Sequence, residues 1–297
     1  MLTHQNPTPV APARVVVLGA RGFVASNLIQ HLSAAGVPVL GLSSADLDLT
    51  EAASVTALTA TLRADDALVF VSALTPDRGK DIATMMRNLR MGQHVCAALT
   101  AKPCAHVVYV STDAVYDDNA NPVREISCAQ PSGFHGMMHV ARERMLIETL
   151  NASRTPLALL RPSLLFGPGD THNGYGPNRF VRTALADKTI ALFGGGEEKR
   201  DHVFIDDVSA ITARVLGHRS AGVLNIATGT SHSFREVADC VRLLCGDAVE
   251  IKPSARANPV THRHFDVSAL LATFPDVRLT ELRTGLERMV RALAASR

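Results

Sequence analysis

The sequence has no tryptophan and few aromatic residues of any kind. Phe, Tyr and Trp together make up 4% of the 297 residues, and the arginines are scattered. Single-stranded nucleic acid is usually bound by basic grooves with aromatic stacking platforms, and nothing here predicts one. Charge of one sign is also missing, because the formal net charge is only +2. We therefore expect neither a nucleic-acid partner nor binding to an anionic membrane.

Paired cysteines and long hydrophobic runs are missing as well. The five cysteines form no CxxC pair and stand in apolar stretches (Cys96, Cys104, Cys128, Cys240 and Cys245). This pattern predicts reduced, buried thiols and a cytoplasmic location. No apolar run is long enough to span a bilayer. Residues 1–12 are rich in proline and lack the features of a signal peptide, which predicts a flexible tail.

Alternating strand and helix patterns fill the first half of the chain. The predicted strands are 14–18, 37–42, 67–71, 105–110 and 157–160, and the predicted helices are 23–35, 50–62, 81–99 and 135–150. Such alternation indicates an α/β fold with a doubly wound parallel Rossmann sheet. We assign residues 13–165 to this dinucleotide-binding domain. Residues 166–297 are richer in loops and are predicted to form mainly a smaller C-terminal substrate-binding lobe, with some elements returning to the sheet.

A glycine turn follows the first predicted strand, Arg14–Leu18. Gly19 and Gly22 permit a tight turn, and the helix that begins near Gly22 points its positive end at that turn. This arrangement predicts a site for the pyrophosphate of a dinucleotide. Ala25 stands where a third glycine of the usual spacing would allow close packing of helix and strand.

The residues that follow the second predicted strand indicate which cofactor is preferred. Ser43 and Ser44 stand near the position where an acidic residue would normally hold the ribose 2′-OH of NAD, and Arg21 lies inside the glycine turn. Two hydroxyls and a guanidinium favour NADP over NAD. Asp46 is an opposing feature, since a carboxylate turned back to this point would favour NAD. Asp48 and Leu49 are expected near the adenine, although Asp48 is equally suited to cap the next helix.

Several separated segments resemble the extended short-chain dehydrogenase/reductase family, which contains nucleotide-sugar epimerases, dehydratases and reductases. They occur in the family's order along nearly the whole chain. The matching segments are GARGFVA at 19–25, DLDLTEAASV at 46–55, FVSAL at 70–74, VSTDAVY at 110–116, RPSLLFGP at 161–168, FGGGEEKRDHVFIDDV at 193–208 and NIATG at 225–229.

The resemblance implies a set of ligand-binding residues. Those implied for the cofactor, with the residues of the glycine turn and second strand, are Gly19, Arg21, Gly22, Phe23, Val24, Ser43, Ser44, Asp48, Leu49, Ser72, Ala73, Leu74, Asn88, Ser111, His139, Arg161 and Pro162. Those implied for the substrate are Thr112, Asp113, Asn178, Arg179 and Arg200. The forked guanidinium of Arg200 suits a diphosphate. The resemblance also implies a homodimer formed through helices 81–99 and 135–150.

The catalytic pair of the family is replaced in this chain. The family uses Tyr and Lys four residues apart on one helix, and here His135 and His139 occupy those positions. Imidazole is the commonest general acid/base, so His135 is our candidate for proton transfer. A cationic His139 would bond the nicotinamide ribose and lower the pKa of His135 by repulsion. The alternatives are a metal pair, which we do not expect, and two histidines without a catalytic role.

Thr112 is the third catalytic candidate, because its hydroxyl ends a strand where it can bond the reacting sugar oxygen. Ala114 lacks the second acid that a dehydratase usually has. Tyr116 is an alternative phenol acid/base in a position that is structural in the family. The remaining histidines, including His202, have no metal-ligand spacing and are predicted to be surface or loop residues.

These patterns predict an NAD(P)-dependent epimerase or keto-reductase that acts on a nucleotide-activated sugar by hydride transfer. One alternative is a dehydrogenase of a smaller hydroxy compound. The other is a cofactor-binding regulatory subunit without catalysis, which the loss of both Tyr and Lys would explain.

Overall fold

The computed structural model describes residues 2–170, 172–246, 248–256 and 259–295. The chain forms two compact units. The first contains residues 1–119, 125–162 and 208–226, and the second contains 120–124, 163–207 and 227–297. The boundary at Pro162 lies close to the one expected at residue 165. Residues 208–226 return to the first unit.

The strands are β1 (Arg14–Leu18), β2 (Val39–Leu42), β3 (Asp66–Phe70), β4 (His106–Val110), β5 (Leu157–Pro162), β6 (Leu164–Phe166), β7 (Thr189–Phe193), β8 (Lys199–Phe204), β9 (Gly222–Ile226), β10 (Ser231–Ser233) and β11 (Glu250–Ser254). The helices are α1 (Phe23–Ala34), α2 (Ala53–Thr61), α3 (Ile82–Ala101), α4 (Phe134–Ser153), α5 (Pro177–Asp187), α6 (Ile205–Gly217), α7 (Phe234–Cys245), α8 (Ser268–Thr273) and α9 (Leu282–Ala295).

The first unit is built on a six-stranded sheet in the order β2-β1-β3-β4-β5-β9. All of its neighbouring strands are parallel. The valines and leucine of β1 are completely buried, as expected for a β-branched strand covered on both faces. The carboxyl ends of parallel strands meet at one edge, which places the loops after β1, β3 and β4 together. The predicted doubly wound α/β fold is confirmed.

Helices α3 and α4 pack together because Gly92 leaves room for a long side chain. A Cβ atom at Gly92 would lie 2.9 Å from Cγ of Arg142, which is fully buried. Arg142 of α4 therefore reaches the carbonyl of Asn88 on α3, within the first unit.

The second unit contains a three-stranded sheet, β10-β8-β6, and a two-stranded sheet, β11-β7. Strand β8 pairs antiparallel with β10 and parallel with β6. Pro177 begins α5 at a position where its missing N–H costs nothing. Helix α7 begins with a capping box between Ser233 and Glu236.

The expectation of a flexible tail at residues 1–12 is wrong for its first half. Thr3 forms a β-bridge with Ala221, and the ring of His4 stacks on His218 with 4.2 Å between the centroids. Leu2 is buried. The start of the chain is therefore held by hydrogen bonds and a ring contact to the loop that follows α6.

Three local predictions are also corrected. Helix α2 begins at Ala53 rather than Thr50, because the Asp48 carboxylate accepts bonds from the N–H and hydroxyl of Thr50 and holds a turn there. Cys128 lies exposed in a loop, unlike the buried Cys96 and Cys104. His202 is buried within β8, whose last four residues are all buried.

Candidate active site

The glycine turn has the shape that a dinucleotide phosphate requires. Gly19 has φ of +100°, and a Cβ atom there would come within 2.9 Å of Ser72 Oγ. Gly22 is the N-cap of α1, and no side chain bonds to the free N–H groups of the helix start. Arg21 and Gly22 are exposed, whereas Phe23 and Val24 are half-buried. The N–H groups of Gly19, Ala20 and Gly22 are bonded to backbone carbonyls. The donors that remain at this turn are those at the N-terminus of α1, the arrangement that binds anions.

Ser43, after β2, is bonded to a carboxylate. Its hydroxyl donates to Asp46 Oδ2 at 2.6 Å, and its N–H donates to the same oxygen at 2.9 Å. These bonds, together with the charge of Arg21, hold the pKa of Asp46 below its ordinary value. Ser44 is exposed beside it. A negative charge thus lies at the position where the sequence predicted two free hydroxyls.

Asp48 and Leu49 continue the same segment. The exposed Asp48 is engaged with Thr50, as described above, and these bonds lower its pKa. Leu49 is buried in the main apolar core of the first unit. The structure places this pair next to the Ser43 turn along the chain, with the Asp48 carboxylate at the surface.

The loop after β3 is held by Asn88 of α3. Its Oδ1 accepts from Leu74 N–H at 2.8 Å, and its Nδ2 donates to the Leu74 carbonyl at 3.0 Å. Arg142 binds the carbonyl of Ser72 at 2.7 Å and that of Asn88 at 2.8 Å. Ala73, between the two anchored residues, is half-buried. Asn88 therefore shapes the Ser72–Leu74 segment through two side-chain bonds, and Arg142 is a residue that the sequence analysis missed.

His139 does not have the environment of a cation. It is buried, and its Nδ1 lies 2.6 Å from the hydroxyl of Tyr109 on β4. Burial, together with the nearby His135 and Arg142, holds the pKa of His139 well below its ordinary value. The role considered for His139 in the sequence, which required a cationic ring, does not fit this buried environment. The His139 ring faces the sheet because the Tyr109 hydroxyl on β4 forms a hydrogen bond with its Nδ1.

His135 lies one turn earlier on α4 and is half-buried. Its ring meets that of His139 edge to face, with 4.7 Å between the centroids and an interplanar angle of 77°. His135 also lines a cavity of about 450 Å³, together with Lys80, Asp81 and Asn88 from the start of α3. The structure thus separates the two histidines, because His135 faces a cavity and His139 faces the core.

Thr112 is anchored at the end of β4 as the N-cap of a short turn, Asp113–Val115. Its Oγ1 accepts from Ala114 N–H at 3.2 Å. The first turn of α4 packs directly on this segment, because a side chain at Gly136 would overlap the Ala114 carbonyl oxygen. Thr112 and Asp113 are half-buried. The glycine next to His135 therefore brings the start of α4 against the Thr112 turn.

A buried polar network lies beneath this turn and is centred on Glu143. Ser111 Oγ donates to its Oε1 at 2.6 Å, and Arg161 donates to both carboxylate oxygens, at 2.9 and 2.5 Å. Arg161 also donates to the Tyr116 hydroxyl, which donates to Asn225 Oδ1 at 2.7 Å. Burial raises the pKa of Tyr116. A bonded and buried Tyr116 does not fit the alternative role of acid/base.

Three of the predicted cofactor residues lie in or beside this network. The polar groups of Ser111 and Arg161 are engaged with Glu143, and Pro162 is buried at the end of β5. Sequence reasoning missed Glu143, Gly136 and Tyr109. The signal for Glu143 was its place four residues after His139, where an acidic side chain shares the inward face of the helix.

The predicted substrate residues of the second unit have different surroundings. Asn178 is buried and bonds the N–H of Gly167 and the carbonyl of Leu165, so it shapes the loop after β6. Arg179 is exposed on α5. Arg200 is half-buried and donates to the carbonyl and hydroxyl of Thr261 at 2.7 and 2.9 Å.

The sequence pattern of the NAD dependent epimerase/dehydratase family matches residues 15–227. The chain belongs to this family. The match includes the glycine turn, the Thr112 turn and α4 with both histidines. This assignment confirms the resemblance drawn from the sequence motifs.

Three similar proteins illustrate the likeness. The ADP-L-glycero-D-manno-heptose-6-epimerase of Cupriavidus pinatubonensis is 26% identical over 269 residues, with 80% of each chain covered. The structure of Thermus thermophilus UDP-glucose 4-epimerase in complex with NAD is 20% identical, with a TM-score of 0.83 and coverage of 95% of this chain and 99% of that one. A GDP-L-fucose synthetase structure from Naegleria fowleri is 14% identical, with a TM-score of 0.85 and coverage of 99% and 96%. At these identities, the two structural comparisons show the shared fold.

Within the residues that the structure describes, no helix combines the length and apolarity needed to cross a membrane.

Proposed function

We propose that the chain is an NAD(P)-dependent epimerase or keto-reductase that acts on a nucleotide-activated sugar. The observation that carries the proposal is the packing at Gly136, where α4 begins against the Thr112 turn. A hydroxyl at the end of β4 and an imidazole facing a cavity are thereby held by two elements in direct contact. These are the groups needed to orient a sugar hydroxyl and to move its proton.

The cofactor we propose is a nicotinamide dinucleotide. Its pyrophosphate would lie at the uncapped N-terminus of α1, beside the Gly19–Gly22 turn, where any side chain at Gly19 would fill the space toward Ser72. The Ser72–Leu74 segment, anchored by Asn88, would lie beneath its ribose. When bound, such a cofactor supplies the acceptor and donor of hydride.

We propose NAD as the preferred form of the cofactor, in place of the NADP preference expected from the sequence, and the support for this choice is Asp46. The Asp46 carboxylate engages the Ser43 hydroxyl at 2.6 Å, and its low pKa keeps it charged at neutral pH. A carboxylate here would repel a 2′-phosphate and accept a bond from a 2′-hydroxyl.

Thr112 and His135 would have separate roles at the reacting carbon, one in orientation and the other in proton transfer. The Thr112 hydroxyl would orient the oxygen of the sugar, and the His135 imidazole would accept the proton of that hydroxyl or return it. A neutral imidazole removes a proton near pH 7 without the help of a neighbouring lysine, because its ordinary pKa is near 6.5.

Arg200 is the residue we propose for the nucleotide diphosphate, because a guanidinium binds phosphate oxygens with two parallel donors. Its bonds to Thr261 would be exchanged for this contact when the substrate binds. Arg179 is a second, exposed cation of the same unit. Asn178 would act by holding the loop after β6, since both ends of its amide are bonded there. Asp113 would approach the sugar from the Thr112 turn.

The exposed apolar side chains on α3 and α4 support a homodimer. Ile82 is 64% exposed and Met86 is 50% exposed on α3, and Met137 on α4 is 38% exposed. Large apolar side chains exposed on helices favour contact with a second copy. A cytoplasmic location, expected from the unpaired cysteines, stays a prediction.

A second candidate is a cofactor-binding subunit without catalysis. The observation that favours it is the buried, uncharged His139, because the position of the family's lysine then carries no cation. Binding of cofactor without any change in substrate would be its signature.

The experiment that tests the proposal is a panel of UDP-, GDP-, ADP- and dTDP-sugars, supplied with NAD(H) or NADP(H). Products are analysed by NMR for inverted or reduced sugar carbons, and a set of small hydroxy acids and alcohols covers the alternative substrate class. We expect at least one nucleotide sugar to be converted, and His135→Ala to slow that conversion by about 10²- to 10⁴-fold with cofactor binding retained. Arg144→Ala, an exposed change on the same helix, is the matched control. Cofactor binding with no hydride exchange on any compound would contradict the proposal and favour the second candidate.

A further inference from the structure

Tyr109 and His139 form a buried polar pair at the main apolar core of the first unit. Tyr109 is completely buried on β4, between the neighbouring strands β3 and β5. Its hydroxyl lies 2.6 Å from His139 Nδ1, and its ring packs against Phe70 and His139. A phenylalanine would fill nearly the same volume. The hydroxyl therefore has a role that packing alone does not require.

The charges around the pair decide which way its hydrogen points. Burial raises the pKa of Tyr109 to about 12, although Arg142 acts against the shift. The phenol is thus neutral, and the buried His139 is neutral as well. The positive charge of Arg142 acts on the phenol, and a phenol hydroxyl is a better donor than a neutral imidazole N–H, whereas an imidazole nitrogen is the better acceptor. The hydrogen of the phenol is then directed to His139 Nδ1, which leaves the imidazole hydrogen on Nε2.

We propose that Tyr109 is a positioning residue that holds His139 as the neutral Nε2–H tautomer and fixes the ring on which His135 rests. The inference rests on the proposed function of His135. The His139 ring meets His135 edge to face, at 4.7 Å between centroids. Because the His139 ring is fixed and uncharged, it does not repel a proton on His135, which lies four residues earlier on the same helix.

Other charged groups face this pair of histidines and bear on its titration. Arg142 and Glu143 act from α4 on Tyr109. Lys80 and Asp81, at the start of α3, line the same cavity as His135. Because Arg142 and Glu143 act on the Tyr109 phenol itself, a change in His135 upon removal of the hydroxyl is interpreted together with the tautomer of His139.

The test is Tyr109→Phe in the full chain, observed by two-bond ¹H–¹⁵N correlation spectra of protein labelled on its histidines. In the wild type we expect His139 to show an unprotonated Nδ1 and a protonated Nε2 throughout the neutral range. In Tyr109→Phe we expect mixed tautomers at His139 and a downward shift of about half a pH unit or more in the His135 midpoint. Tyr116→Phe removes another buried hydroxyl of the same unit, and it should leave both histidine signals unchanged.

Two results would overturn the inference: a hydrogen on His139 Nδ1 in the wild type, or the same single tautomer and His135 midpoint in Tyr109→Phe. If that variant does not fold, the wild-type spectrum still decides the tautomer. The spectra need no turnover, so they separate this inference from the proposed function. If a nucleotide sugar is converted, Tyr109→Phe should move the pH profile of kcat and leave KM within about twofold.

Discussion

Glu143 and Arg161 form a buried ion pair in which both carboxylate oxygens accept bonds from one guanidinium. The distances are 2.9 Å from Nε to Oε1 and 2.5 Å from Nη2 to Oε2. Each side chain is less than a tenth exposed. Ser111 and Tyr116 complete the pair's hydrogen bonds, which a buried charge requires. The pair thus joins β4, β5 and α4 beneath the Thr112 turn.

Removal of the carboxylate charge should be costly. We expect Glu143→Gln to lower the free energy of unfolding by about 3–5 kcal/mol, because Arg161 would be left as a buried cation without its counter-charge. Urea denaturation followed by circular dichroism measures the change. Glu148→Gln, an exposed change on the same helix, should alter it by less than about 0.5 kcal/mol. Equal effects of the two variants would contradict a structural role for the pair.

A methyl group at Gly136 should separate α4 from the Thr112 turn. Gly136→Ala would place the new Cβ atom on the Ala114 carbonyl oxygen, so we expect a loss of about 1–3 kcal/mol in the free energy of unfolding. Activity should fall further than stability explains, because His135 shifts with the helix. Gly133→Ala is the control, since a Cβ atom there has no neighbour within 4 Å. A fully active, stable Gly136→Ala protein would remove the main support for the proposed function.

The charge of Asp46 should set the cofactor preference. We expect the wild type to bind NAD more tightly than NADP, and Asp46→Asn to change the ratio of their Kd values by about tenfold toward NADP, since one repulsive charge is removed. Isothermal titration calorimetry with both cofactors gives the ratio. Asp65 is exposed just before β3, at the end of the strand away from the cofactor loop. Asp65→Asn should therefore leave the ratio of Kd values unchanged. Tighter binding of NADP by the wild type would restore the preference expected from Arg21 and Ser43.

Acidification should destabilise the first unit through its buried histidines. Burial lowers the pKa of His106 to about 4, and that of His139 lies well below its ordinary value. The unfolded chain binds their protons near pH 6.5, so the stability they contribute is complete above that pH and is lost as the pH falls below it. Each histidine should contribute a slope of about 1.4 kcal/mol per pH unit between pH 6 and 5.

The His106→Phe variant isolates one of these contributions. Its free energy of unfolding, measured in urea at pH 7, 6 and 5, should show a slope smaller than that of the wild type by about one proton. His31→Gln, an exposed change on α1, should retain the full slope. A wild type that is equally stable at pH 7 and pH 5 would contradict the conclusion that these histidines are uncharged in the folded protein.

The sequence by itself determined the fold class and the location of the cofactor turn. The β-branched run before Gly19 and the alternation of strand and helix depend on local conformational preferences, and those are written in short stretches of chain. Family membership followed from motifs that keep their order along the chain. The positions of His135 and His139 were also visible, because they are four residues apart on a helix that the glycine spacing places in register.

The tertiary structure decided what those two histidines do. The imidazole of His139 meets the phenol of Tyr109, thirty residues away in the chain, and loses its solvent there, so its charge state follows from burial rather than from residue type. The same applies to Ser43, whose hydroxyl donates a hydrogen bond to Asp46, and to Arg161, which forms an ion pair with Glu143. Protonation and hydrogen-bond partners depend on side chains that only the folded sheet brings together.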